Sequence, residues 1–412
     1  MPRSLIVVGA GASGLMAAVR AAECGASVVL LEATDHAGTK LGIAGGGRGN
    51  LAPRDDIEAC LEHYVPNTQF LRNALYRWGV GDLRAFLRRI GLETIANGQG
   101  RIYPASQRAT DVTRALVTYA GQLGVPLMTR WRCAHVLAGG SRVTGVCAVD
   151  GRSLAGDAVV LATGGVTYPE TGSRGDGLPM ARELGHRIAA PCPGLVPLVL
   201  AGPMPRALAG LSLPRVRLTA RGKRGSLAET VGPLLFTHRG LSGPAALDLS
   251  LRITRDLATG PVMATMDLRP SLGDDLGERL EHQRDGRGRR TVASALTDIM
   301  PRRLADAIQS IAAIDGSTQV AQLAREQVET LITFAAEFPL EIVSTGPMRT
   351  AMVTVGGVET SGVDPRTMAS RQCEGLYLCG ELLDLAGDTG GYNMLMAFST
   401  GWVAGESAAR LA

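Results

Sequence analysis

The chain has 412 residues, more than one hydrophobic core of about 250 to 300 residues supports, so two or three domains are expected and one of them is free to be discontinuous. Its residues are 45% hydrophobic, 19% charged and 4% aromatic, which excludes a disordered chain, and a formal charge of +4 is too mild to call for a nucleic-acid partner. Seven scattered cysteines without a CxxC pair argue against a disulfide framework, a zinc site and a dithiol centre, and the uncharged stretch 188–205 carries five prolines, so it is no membrane-spanning helix.

The first element is the apolar run 5–8, which reads as a buried strand rather than as part of a secretory leader and so places the protein in the cytoplasm. Gly9, Gly11 and Gly14 follow with GxGxxG spacing, Leu15 to Cys24 continue as a helix that Gly25 ends, and residues 27–31 form a second strand that delivers Glu32. The spacing has a physical reading. Gly9 permits the tight turn, Gly11 lets a pyrophosphate approach the backbone, Gly14 lets helix and strand pack closely, and the helix N-terminus offers free N–H groups to phosphate; Ser13 lies in the same turn. Glu32 is placed to accept the two ribose hydroxyls, and a 2′-phosphate there would meet a like charge. A Gly-rich turn alone proves little, but strand context and an acid about 20 residues on are what confirmation requires. NAD and FAD share this half, so the turn leaves the choice open.

Residues 40–50, KLGIAGGGRGN, can wrap backbone around a ligand, with Lys40, Gly47, Arg48 and Asn50 as contacts. A hairpin over 125–160 carries Cys133, also assigned to the cofactor, and leads into a third buried strand ending in Thr163 and Gly164. Near the C-terminus, 375–384 is again a strand, ending in Gly380 and Glu381, and Gly390, Gly391, Tyr392 and Asn393 open a final helix. In a doubly wound sheet such strand ends gather along one edge, where ligands bind. A helix N-terminus at the far end of the cofactor from Gly9 suits a flavin better than a nicotinamide, because reduced flavin carries negative charge at N1 and the C2 carbonyl. Glu381 is then placed for a ribityl hydroxyl and Arg48 for the C2 carbonyl. No His or Cys is clearly placed at the ring, so the FAD is expected to be non-covalent.

The motifs GRIYPASQRATDV, ATGGVTYPETGSRGDG, PLLFTHRGLSGPA, MVTVGGVETSGVDPRTM and GLYLCGELLDLAGDTGGYNMLMAFSTGWVAG together resemble the BaiN-like, aminoacetone-oxidase-type family of FAD-binding oxidoreductases. The similarity runs in order from about Leu5 to Ala404 and is weakest over 270–335. It implies an α/β, Rossmann-like FAD-binding domain of the glutathione-reductase type built from 1–190 and 345–412, a β-rich insert over 191–270 and 336–344, and a small helical domain over 271–335. It also implies hydride transfer through flavin N5 to or from a small organic substrate, by reduction of an activated C=C bond or by amine oxidation. One departure stands out: the family usually has Cys where this chain has Gly49, so any role of that thiol is absent.

A flavin does its own redox chemistry, and the protein need supply only position, charge and a proton donor. Tyr103, Tyr168, His238 and Tyr392 are the candidate donors. A turn residue before Pro169 explains Tyr168 equally well, a satisfied surface histidine explains His238 slightly better, and Tyr392 at the Gly pair reads best as packing against the ring. Two other classes remain: an RNA-interacting flavoprotein that uses the basic stretches 215–224 and 284–290, and a flavin-binding protein without catalysis. The chain contains no second strand–GxGxxG–helix unit. NADH or NADPH is therefore expected as a transient donor without a domain of its own.

Overall fold

The computed structural model describes residues 2–222, 227–273, 275–285 and 290–410. Residues 223–224 of the first basic stretch and 286–289 of the second lie outside the described residues. The chain forms two compact units, one of 1–194 with 348–412 and the other of 195–347.

The first unit is built on a five-stranded parallel sheet. Its first strand (β1, Ser4–Val8), helix (α1, Ala12–Glu23) and second strand (β2, Ser27–Leu31) follow one another with only residues 9–11 and 24–26 between them. The sheet order places Leu376–Leu378, Ala158–Leu161, β1, β2 and Leu127–Met128 side by side. Both faces of the inner strands are covered, which is why they read as unbroken apolar runs: Leu5 to Val8 and Ala158 to Leu161 are at most 4% exposed. Register then decides where these strands end. Val8 pairs with Leu31 on one side and Leu161 on the other, and Leu161 pairs with Leu378. The next residues, Gly9, Glu32, Ala162 and Cys379, therefore leave the sheet at one edge. The C-terminal helix, Tyr392–Ala409, packs along α1.

The second unit is a closed antiparallel barrel of the strands Leu198–Leu200, Gly240–Ser242, Leu227–Thr237, Ser212–Arg221, Val262–Asp267 and Phe338–Thr345. Closure leaves no sheet edge to protect. The helices Val292–Thr297, Arg302–Ala312 and Arg325–Ala336 share its hydrophobic core through Leu296, Leu304, Ile308 and Leu331. These helices, within the stretch 271–335 expected as a small helical domain, fall in the same compact unit as the barrel. No described helix is long and apolar enough to cross a membrane.

Candidate functional site

The Gly turn after β1 shows three glycines with three different surroundings. Gly9 has φ of +101° and a Cβ there would lie 2.6 Å from the Ala162 carbonyl oxygen; at Gly14 it would come closer than 3.0 Å to the Gly9 carbonyl oxygen. Beyond Gly11 the space is open to at least 4 Å. That is the profile of a turn with one backbone position left free for a ligand, at the start of a helix whose first residues have no side-chain cap. Ser13 is buried, with its side chain against Gly380, so it joins two loops of the edge.

Glu32 continues β2 to this edge and is 9% exposed. Its Oε2 accepts from the Ala10 backbone N–H at 3.1 Å, and its Oε1 accepts from the backbone N–H and hydroxyl of Thr34, both at 2.8 Å. The carboxylate therefore pins the Gly turn as well as facing the edge. Beside it, the Trp131 backbone N–H donates to the Glu32 carbonyl at 2.8 Å, and two residues on Cys133 begins its strand, buried. Burial pushes the Cys133 thiol up to about 12, and the Cys60 and Cys379 thiols likewise to about 12. All three stay neutral at pH 7 and are poor thiolate nucleophiles.

Lys40 and Glu381, expected as separate cofactor contacts, face each other across 2.6 Å. Lys40 Nζ also donates to the Thr167 hydroxyl at 2.7 Å, and Glu381 Oε1 accepts from the Thr354 backbone N–H at 2.9 Å. This ties the loop after the third buried strand to the loop after the fourth. Thr167 and Thr354 escaped the sequence reading although both lie inside the quoted motifs. Tyr168 sits beside this pair, its ring centroid 5.9 Å from Lys40 Nζ, in a left-handed backbone conformation with φ of +54°. Such strain in a non-glycine residue marks sites where the surroundings dictate the backbone. Gly164, at φ of +75°, faces the Ser173 hydroxyl.

The glycine-rich loop holds Gly45, Gly46, Gly47 and Gly49 at positive φ, with open space beyond Gly46 and Gly47. Gly49 stands against Pro104 and Ala109. Asn50 closes the loop, 9% exposed, with its Oδ1 buried and without a hydrogen-bond partner; Thr163 Oγ1 is in the same state. An unpaired buried polar atom costs roughly 1 to 3 kcal/mol; the Thr163 hydroxyl lies against Gly177 at the start of the helix Gly177–Glu183. Arg48 is exposed, its guanidinium carbon 5.5 Å from the centroid of the buried Tyr103 ring.

At the mouth of the C-terminal helix three residues expected to meet the cofactor also have partners within the protein. A Cβ on Gly391 would lie 2.8 Å from the Ala52 backbone, so this glycine is needed by the protein's own packing. Tyr392, assigned to the flavin ring, is buried with His63 stacked on it at 4.3 Å, Tyr64 edge-on at 5.9 Å, and its hydroxyl donating to Asp55. Burial and Asp55 raise its pKa well above that of an ordinary tyrosine. Asn393 exchanges two hydrogen bonds with the Gly387 backbone, at 2.6 and 2.8 Å, which closes the turn around Gly390. His63 in turn meets the buried Asp388 at 2.9 Å. No sequence signal joins residues 63 and 388, because only the pairing of Gly387 with Tyr64 brings them together. His238 lies in the other unit, exposed at a hairpin tip between Thr237 and Gly240.

The residues at the sheet edge fit the adenosine and phosphate half of FAD: an open backbone position at Gly11, at the start of a helix without a side-chain cap, and an acid at the end of β2. Comparison with known proteins agrees with this geometry. The family model described as the HI0933-like protein Rossmann domain matches residues 3–407. A 3-dehydro-bile acid delta(4,6)-reductase of Clostridium scindens is 33% identical over 408 residues, covering 98% of each chain. A ribosomal RNA dihydrouridine synthase of Escherichia coli is 29% identical over 97% of this chain and 96% of its own. A 3-ketosteroid-delta4-(5alpha)-dehydrogenase from Rhodococcus jostii shares the fold, with a TM-score of 0.54 at 17% identity over 99% of this chain and 97% of its own.

Proposed function

The chain belongs to the HI0933-like Rossmann family of FAD-dependent oxidoreductases, and on that premise we propose that it reduces a carbon–carbon double bond conjugated to a carbonyl group of a small molecule. When bound, FAD supplies hydride transfer at N5. Both relatives above carry names that describe hydrogen added across such a bond: in one the alkene of a 3-dehydro-steroid, in the other the alkene of a uracil ring. Their shared chemistry favours this over amine oxidation. The observation that carries the cofactor half of the reading is the single edge at which Gly9, Glu32, Ala162 and Cys379 emerge, with Gly11 open.

On this reading Glu32 takes the ribose, the α1 N-terminus takes the pyrophosphate, and the 40–50 loop with Lys40 and Glu381 lies along the flavin. The purified protein is expected to be yellow, with FAD that denaturation releases through a filter. The test is anaerobic reduction of this protein by NADH or NADPH, followed by reoxidation with a panel of enones and of amine-derived imines. Enones that reoxidise the flavin support the proposal; reoxidation by imines alone, or a colourless protein that FAD does not reconstitute, defeats it.

A nicotinamide donor without its own domain must visit the same open face as the substrate. Steady-state rates are therefore expected to show parallel double-reciprocal lines, with each substrate competing against the other at high concentration. Intersecting lines would refute the shared face.

A further inference from the structure

Two guanidinium groups beside the short strand Arg101–Pro104 stand without a carboxylate. Arg48 lies over the Tyr103 ring at 5.5 Å. Arg101 is on the same short strand as Tyr103, Arg101–Pro104, and side chains alternate along a strand, so Arg101 and Tyr103 share one face while the fully buried Ile102 takes the other. A Cβ placed on Gly390 would lie 4.0 Å from Arg101 Nε, which sets this guanidinium at the mouth of the C-terminal helix. That strand pairs with Ala52–Pro53, and Gly391 rests on Ala52. Some surface arginines find acids, as Arg132 does in Asp176 and Arg152 in Asp150, while others, such as Arg54 and Arg108, have none among the described residues, so it is the position of Arg48 and Arg101 at the helix mouth that sets them apart. Among the described residues neither Arg48 nor Arg101 has such a partner, and the acids near the helix mouth are engaged: Asp388 with His63, and Asp55 with the Tyr392 hydroxyl.

Two unpaired cations and a helix N-terminus without a side-chain cap give the helix mouth a positive field. The proposed reaction builds negative charge at one atom. As the β-carbon of the substrate receives hydride with its two electrons, the alkene pair moves toward the carbonyl and leaves an enolate oxygen. A proton from solvent water then adds at the α-carbon and the carbonyl is restored. We infer that Arg48 and Arg101 receive this oxygen: they orient the carbonyl when the substrate binds and hold the enolate charge as it develops. Interactions stronger with the enolate than with the neutral carbonyl lower the barrier, and guanidinium donors to an anionic oxygen are of that kind. The inference rests on the reading of the reaction given above. It differs from the sequence expectation for Arg48, which assigned it to the flavin C2 carbonyl.

A phenolate copies the planar, charged oxygen of an enolate. The full-length holoenzyme is titrated with para-hydroxybenzaldehyde at a pH where the phenol is ionised, and the long-wavelength charge-transfer band of oxidised flavin reports binding. Arg48→Gln and Arg101→Gln are each expected to raise the phenolate dissociation constant by about 10- to 150-fold, with a smaller loss for Arg48→Lys. Affinity for FAD, measured separately by titration of apoprotein, is expected to stay within about twofold of the parent, and neutral benzaldehyde to bind all variants alike. Absence of phenolate binding, or phenolate affinity unchanged from the parent in both variants, overturns the inference, as does a loss of FAD affinity matching the loss of phenolate. A colourless protein that cannot be reconstituted fails the reaction reading itself, before any phenol is added; a yellow protein whose phenolate binding ignores both arginines fails only the inference.

Discussion

Replacing Gly401 with Val is expected to destabilise the nucleotide-binding unit by about 3 kcal/mol or more, because overpacking costs 1 to 3 kcal/mol even where side chains can move and here none can. The C-terminal helix meets α1 through its backbone. A Cβ at Gly401 would come closer than 3.0 Å to the Ser13 carbonyl oxygen, and one at Gly405 equally close to that of Ala17. Both partners are helix backbone, so relief requires the helices to separate. Separation would open the core around Leu15, Met16, Leu395 and Phe398, all at most 1% exposed. Neither glycine has positive φ, so the cost is one of space, and the gain in helix propensity of up to about 1 kcal/mol works against it. Urea unfolding of the holoenzyme measures the difference. Gly121→Ala is the control: it lies near the end of the helix Ala109–Gln122 with nothing within 4 Å, and it should leave stability unchanged or slightly raised. A Gly401→Val protein within about 0.5 kcal/mol of the parent would show that the two helices are not in the backbone contact described.

Glu32→Ala is expected to weaken FAD binding by about 10- to 150-fold, since a hydrogen bond to a charged group is worth roughly 1.5 to 3 kcal/mol and each 1.4 kcal/mol is tenfold. The structure gives the effect two sources. One is the ribose contact that the position at the end of β2 provides. The other is the bond from the Ala10 N–H at 3.1 Å, whose loss frees the Gly turn that holds the pyrophosphate. Glu32→Gln separates them: its amide oxygen can keep the Ala10 bond while the charge is gone, so an affinity between those of parent and Ala variant is expected. Titration of apoprotein with FAD decides the matter, and an unchanged dissociation constant in the Ala variant removes Glu32 from the ribose.

Local chemistry in the sequence was sufficient for the β1–α1–β2 unit. An apolar run, glycines at fixed offsets and an acid at the next strand end are each interpreted over a few residues, and the structure places the strands at Ser4–Val8 and Ser27–Leu31 with Glu32 at the edge. The buried strands at 158–161 and 376–378 were equally legible, because a strand covered on both faces has no polar alternation to obscure it. The family motifs carried the oxidoreductase reading for the same reason: they are contiguous. What the sequence could not decide were the partners of individual polar groups. Lys40 and Glu381 are 341 residues apart, and only register and loop packing set them against each other, whatever ligand they also meet. Asn393 and Tyr392 carry the chemistry of a flavin edge, but nothing local shows that they also meet the turn at Gly387 and the ring of His63. Gly391 and Gly401 offered glycines without saying whose backbone approaches, and that backbone proved to be Ala52 and Ser13. Periodicity and turn chemistry are properties of neighbouring residues, whereas the choice of a hydrogen-bond partner depends on which distant segments the core brings together, and only the tertiary structure makes that choice.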